Sequence, residues 1–155
     1  MNRIKIKEHV IGAMKNMVNG IECSITGDYP QSSDVVAVVV AIINESPVVT
    51  GASGRIAYNF VTGIEKSMLV SILAIGISVY APIDEESVSV CEVIKSALTS
   101  KKNMLLNSGL GINRVGEVSG ISNPIMRESG ERKTWLTQIS INLTVTEIVE
   151  SDPAW

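Results

Sequence analysis

The chain has 155 residues, with 13 Lys and Arg against 16 Asp and Glu and a formal net charge of −3 at pH 7. No long run of Lys or Arg is present, so the clustered basic surface that phosphate neutralisation requires is missing, which argues against nucleic acid as the main ligand. At 45% hydrophobic and 19% charged residues the chain is apolar for a soluble protein, and with six aromatics that apolarity is mostly Val, Ile, Leu, Ala and Met.

Ile6, Val10, Ala13, Met14, Met17 and Ile21 mark one face of a helix from Lys5 to Val18, which Asn19-Gly20 ends. Ile21 to Thr26 reads as a short strand. Gly27-Asp28-Tyr29-Pro30 reads as a turn and Gln31 to Asp34 as a polar loop. Val35 to Ile43 (VVAVVVAII) is β-branched and apolar on both alternating faces, which marks a central strand closed by Asn44-Glu45-Ser46-Pro47. Val48 to Gly54 is weaker and Gly-rich, an edge or bulged segment. Arg55 to Thr62 alternates, with Ile56, Tyr58 and Phe60 on one face, and Gly63-Ile64-Glu65 turns it into the next strand as a hairpin.

That next strand, Lys66 to Tyr80 (KSMLVSILAIGISVY), is apolar or small on both faces and asks for cover on both. Its length would reach about 50 Å at ~3.3 Å per residue, so Gly76 is expected to mark a bend or bulge. Ala81-Pro82-Ile83 stops the strand, because Pro cannot donate to a central ladder. A helix follows, with Asp84 expected as N-cap, Glu85 and Glu86 at its positive pole and Lys95, Lys101 and Lys102 at its cationic end. Val88, Cys91, Ile94 and Leu98 form its apolar face. Asn103 to Gly111 is a connector whose Met104, Leu105 and Leu106 should tuck against the core. Ile112 to Ser119 is a weaker strand, since Arg114 and Glu117 fall on opposite faces. Gly120 to Lys133 reads as a polar loop.

Thr134 to Glu150 has the cleanest alternation in the chain. Trp135, Thr137, Ile139, Ile141, Leu143, Val145 and Val149 face one way, and Gln138, Ser140, Asn142, Thr144 and Thr146 the other. The expected fold is α+β, over residues 1–155 as a single domain. It is a mixed, mainly antiparallel sheet of about four to six strands flanked by the N-terminal and central helices. Ile72 and Ile141 are expected in its apolar layers.

Little in the chain points to catalysis. His9, the only histidine, stands beside Glu8 and Lys7 with no Ser or Cys near it in sequence. One His and two separated cysteines, Cys23 and Cys91, lack zinc-site spacing and are too few for a disulfide framework, which fits a reduced cytoplasmic origin. Gly109-Leu110-Gly111 with Gly116 lacks both the GxGxxG spacing and the GK[ST] ending of a phosphate loop. Helix capping explains Asp84, Glu85 and Glu86. The aromatics are too scattered for a base-stacking platform. Neither a signal peptide nor a membrane-spanning helix is expected, since the longest apolar run, Val35 to Ile43, is too short to cross a bilayer. No catalytic, cofactor or metal site is therefore expected. The charged residues Arg127, Glu128, Glu131, Arg132 and Lys133, together with Arg55, are the candidate contacts with a neighbouring subunit.

The order of Lys5 to Val18, Gly27-Asp28-Tyr29-Pro30, Val35 to Ile43, Arg55 to Tyr80, Ala81-Pro82-Ile83-Asp84 and Trp135 to Val149 resembles that of phage tail terminators. These are also called tail completion or neck proteins, and occur in long-tailed phages and phage-tail-like particles. The resemblance is one of layout and covers most of the chain; the segments 49–54 and 104–111 depart from it. It implies a structural, non-catalytic protein without cofactors, forming a ring, expected to be hexameric, that caps the tail tube and ends its polymerisation. It also implies tail tube protein as partner, with sheath and head–tail connector or neck proteins adjacent and DNA able to pass through the lumen. No membrane contact and no specific nucleic-acid binding go with it. The alternatives are a head–tail connector in the adjacent layer and, from another class, a small oligomeric α+β enzyme or ligand-binding domain using His9 and the acidic cluster at Asp84.

Overall fold

The computed structural model describes residues 1–18, 24–27, 36–48, 54–129 and 132–153. Two helices, α1 (Arg3–Met17) and α2 (Asp84–Lys101), pack on a seven-stranded sheet. Its strands are β1 (Ser24–Thr26), β2 (Ala37–Pro47), β3 (Gly54–Asn59), β4 (Ile64–Ala81), β5 (Ile112–Val118), β6 (Ile125–Ser129) and β7 (Arg132–Glu150). β1 and β2 run parallel, and all other pairings are antiparallel. The class is the expected α+β.

The sheet is organised on β4 and β7, which pair without interruption from Lys66↔Glu150 to Ala81↔Trp135. Each carries a divided row on its outer side. β2 and then β3 run along β4, and β5 and then β6 run along β7. Between β5 and β6 the chain stays bonded to β7, with the N–H groups of Ser119 and Ser122 donating to the carbonyls of Ser140 and Gln138. The Ser119 and Ser122 hydroxyls accept in turn from the N–H groups of Ser140 and Gln138.

This corrects the polar-loop reading of Gly120 to Lys133, and it raises the strand count above the expected range. Ile125 to Ser129 pairs with Arg132 to Leu136 as a hairpin. An edge strand that buries neither face needs no apolar alternation, so its polar side chains hid it.

Alternation decides which face is dry. Leu73, Ile75, Ile77 and Val79 of β4 and Ile139, Ile141, Leu143 and Val145 of β7 point to the helices. There they meet Ile6, Val10, Met14 and Met17 of α1 and Val90, Cys91, Ile94 and Leu98 of α2. Burying each such aliphatic side chain contributes about 1.5–3 kcal/mol relative to exposure. Val90 is the buried valine of α2, where the spacing had suggested Val88, and of the connector's Met104, Leu105 and Leu106 only Leu105 is buried.

Both helices cover the same face. β4 had been expected to need cover on both, but among the described residues no helix lies on the other. Ile72 points there and is 36% exposed, whereas Ile141 is buried in the helix-covered core. Gln138, Ser140, Asn142, Thr144 and Thr146 share that bare face as the alternation requires.

Gly76 does not interrupt β4. The register shift lies in the neighbouring β2, between Ile42 and Asn44, and the displaced Ile43 side chain lies over Gly76, where a Cβ would collide with it. Nor is Asp84 the N-cap of α2. Ile83 occupies that position, accepting from the Ser87 N–H at 3.1 Å, and Asp84 is the first helical residue, its carboxylate taking the Glu85 N–H at 2.8 Å. The buried Ser87 hydroxyl donates to the Asp84 carbonyl at 2.7 Å and meets the buried Thr137 hydroxyl at 2.8 Å, which ties α2 to β7.

α1 begins two residues earlier than the spacing suggested, because the Asn2 side chain accepts from the Lys5 N–H. The turn Asn19-Gly20, the loop at Asp28 to Asp34 and most of the Val48 to Gly54 segment lie outside the described residues.

Candidate assembly interface

At one end of the sheet β3, the start of β4 and the end of β7 run past the helices as a three-stranded arm. Leu69 and Val149 lie on the helix-bearing side of the sheet, yet both are exposed, so neither helix reaches this end. Ile56 and Ile148 are exposed there as well.

The tip of the arm is shaped by one asparagine and one glycine. The Asn59 side chain accepts from the N–H groups of Val61 and Thr62 at 2.9 and 3.2 Å, and its carbonyl accepts from Gly63 at 2.8 Å. Gly63 has φ 72°, a left-handed conformation that favours glycine. Closing the turn this way pushes Phe60 and Val61 outward, 84% and 87% exposed. Phe60 stands edge-on to Tyr58, 4.9 Å between ring centroids, and the Arg55 guanidinium lies 5.5 Å from the Tyr58 ring centre. Along the arm Arg55 lies 3.8 Å from Glu65 and Lys66 3.5 Å from Glu150.

A second feature lies on the bare sheet face. Ala41, Ile43, Gly76, Ser78, Gln138 and Ser140 line an open trough of about 300 Å³ in which no ionisable side chain takes part. Gln138 spans its floor, donating to the Ser78 hydroxyl at 3.0 Å.

The candidate residues fall at two opposite ends. Arg55 lies on the arm. Arg127 and Glu128 lie on β6 and Lys133 on β7, with Lys133 and Glu128 3.8 Å apart across the hairpin. Arg132 takes part through its backbone pairing with Ser129, and Glu131 lies outside the described residues. The sequence reading passed over the exposure of Phe60 and Val61, because a residue in a turn continues the alternation of the strand before it. The signal available was the single Phe of the chain placed between Asn59 and Gly63.

Residues weighed for chemistry occupy structural places. His9 donates through Nε2 to the Leu105 carbonyl at 3.0 Å and faces the Asn107 amide at 3.5 Å, holding α1 to the connector. Gly111 forms a corner against β7, its carbonyl accepting from Thr146 at 2.9 Å. Desolvation and, less strongly, Glu92 push the buried Cys91 thiol up to about 11, away from thiolate chemistry. Among the described residues no group of three or more His, Cys, Asp or Glu is placed to hold a metal, and no helix is long and apolar enough to cross a membrane.

Among solved structures the chain is similar to the sheath/tube terminator of an extracellular contractile injection system (PVC), determined by cryo-EM in the extended state. The TM-score is 0.58 at 14% sequence identity, over 99% of this chain and 60% of that one. The chain thus spans 60% of the length of that neighbour, and the likeness is one of fold. No protein-family model and no curated protein matches the sequence.

Proposed function

We propose that this protein is a structural terminator of a tail or tail-like tube. The whole chain acts as one unit. Copies form a ring, expected to be hexameric, that seats on the last tube ring, ends tube polymerisation and offers the joining surface for neck or head. A sheath, where present, abuts the ring. The role is non-catalytic, and the place of action is the head-proximal end of the particle.

One observation carries this reading: nearly the whole chain follows the fold of a protein whose stated role is sheath/tube terminator. The arm and the bare sheet face agree with it, since a ring joins one surface to a different surface of the next copy. Arg55 at one end and Arg127, Glu128 and Lys133 at the other, with Glu131 and Arg132 from the same stretch of sequence, are the charged contacts of that ring or of the tube.

Native mass and negative-stain imaging test the assembly, with tube ends supplied where the free protein does not assemble. Ring-shaped particles near six times 16.6 kDa are expected. A stable dimer or tetramer without a channel, unchanged by tube ends, would overturn the reading.

A further inference from the structure

We propose that Phe60 and Val61, at the tip of the β3–β4 hairpin, seat in the trough on the bare sheet face of a second copy, so that successive copies join tip to trough. This rests on the ring reading above and names the contact that builds the ring.

The tip needs cover. Phe60 and Val61 are its most exposed side chains, and an aromatic ring alone can remove about 150–250 Å² from water on burial. Among the described residues Phe60 makes its ring contact with the edge of Tyr58, and both side chains stay largely exposed.

Charge selects the receiving surface. Behind the tip Arg55 pairs with Glu65 and Lys66 with Glu150, and the turn from Phe60 to Gly63 itself carries no ionisable side chain, so the tip meets its partner as an apolar knob. Burying it against the β6–β7 hairpin or the outer side of α1 would desolvate exposed charges there, Arg127 and Lys5 among them. The trough carries no ionisable side chain, is floored by small residues at Ala41, Gly76 and Ser78, and at about 300 Å³ falls at the small end of the range for binding pockets. Its volume suits one aromatic side chain and part of a second residue.

Tip and trough cannot meet within one molecule. From Ile64 to Gly76 along β4 is on the order of 40 Å at ~3.3 Å per residue. The contact is therefore between unlike patches on two copies, which is heterologous and closes into a ring when its rotation allows. It is an anchor within a wider contact, because a standard interface covers about 800 Å² per partner.

The test mixes two variants, each with one half of the contact destroyed. Phe60→Asp spoils the tip and Ser78→Trp fills the trough; both positions are solvent-accessible, and circular dichroism checks folding. Each variant alone should self-associate at least tenfold more weakly than the wild type. An equimolar mixture should recover a 1:1 heterodimer and stop there, since one intact tip and one intact trough remain.

Disulfide trapping at tube ends covers the case of a weakly associating wild type. In a background lacking Cys23 and Cys91, Val61→Cys and Ser78→Cys copies should cross-link to each other, and Val61→Cys copies alone should not. Wild-type assembly by both variants, or absence of the mixed cross-link, would overturn the proposal. Rings of Phe60→Asp that form normally but no longer hold tube ends would assign the tip to the tube, overturning this contact while leaving the terminator reading intact. Tip-to-trough rings that leave tube growth unchanged would support the contact and sink the terminator reading.

Discussion

Gly111 is constrained in two ways. Its φ of 77° lies in the left-handed region, and a Cβ on it would overlap the Thr146 carbonyl oxygen. Gly111→Ala is expected to cost about 2–4 kcal/mol, seen as a lower urea midpoint, while Gly120→Ala, with open space around it, stays within about 0.5 kcal/mol. Equal small losses would contradict the tight corner against β7. Cys91 gives a second test. Its thiol should react slowly with alkylating reagents at pH 8 in a Cys23→Ser background, and rapid labelling of the folded protein would contradict its burial. Its folded value is raised, so its contribution to stability is complete below about pH 9 and is lost as pH rises towards about 11. The stability gap between wild type and Cys91→Ala should accordingly narrow from pH 9 to pH 11. A gap that widens would reverse the sign.

At the scale of elements, the two faces of the paired β4 and β7 are expected to respond differently to the same change. Ile141→Asp, placed opposite Ile75 in the helix-covered layer, buries an unpaired charge and should abolish cooperative folding. Ile72→Asp, on the bare face, should keep the wild-type circular dichroism spectrum and lose about 1 kcal/mol at most. Similar unfolding by both would mean that the bare face is covered in the isolated chain. The sequence carried the identity of β4 and β7 plainly, because unbroken apolar runs and strict alternation are what burial demands of a strand. It did not carry which face the helices take, since alternation marks a side as apolar without saying what packs on it. β6 stayed hidden for a different reason: Arg127, Glu128 and Ser129 sit on an edge strand where solvent imposes no pattern. The bulge expected at Gly76 belongs to Ile43 on the neighbouring strand, a cross-strand relation that no single-strand pattern contains. Of the candidate interface, the exposed charges Arg55, Arg127, Glu128 and Lys133 were legible as charges. The pairing of Arg55 with Glu65 and of Lys133 with Glu128, and the outward throw of Phe60 by the Asn59 turn, depend on register and turn geometry.

The molecule as a whole spends its apolar surplus unevenly. One face of the sheet and both helices share a continuous core, while the arm at Ile56, Phe60, Val61 and Ile148 and the side chains around Ile72 remain in water. A chain made to work alone would gain by covering that surface, so its exposure agrees with the proposed assembly. The most direct test is to add the purified protein to the matching tube subunits while they polymerise, and to image length and ends. A single ring at one end of each tube, with lengths that stop increasing once every such end is occupied, is the predicted result. Tubes that grow to their usual length with no ring at either end would contradict the account.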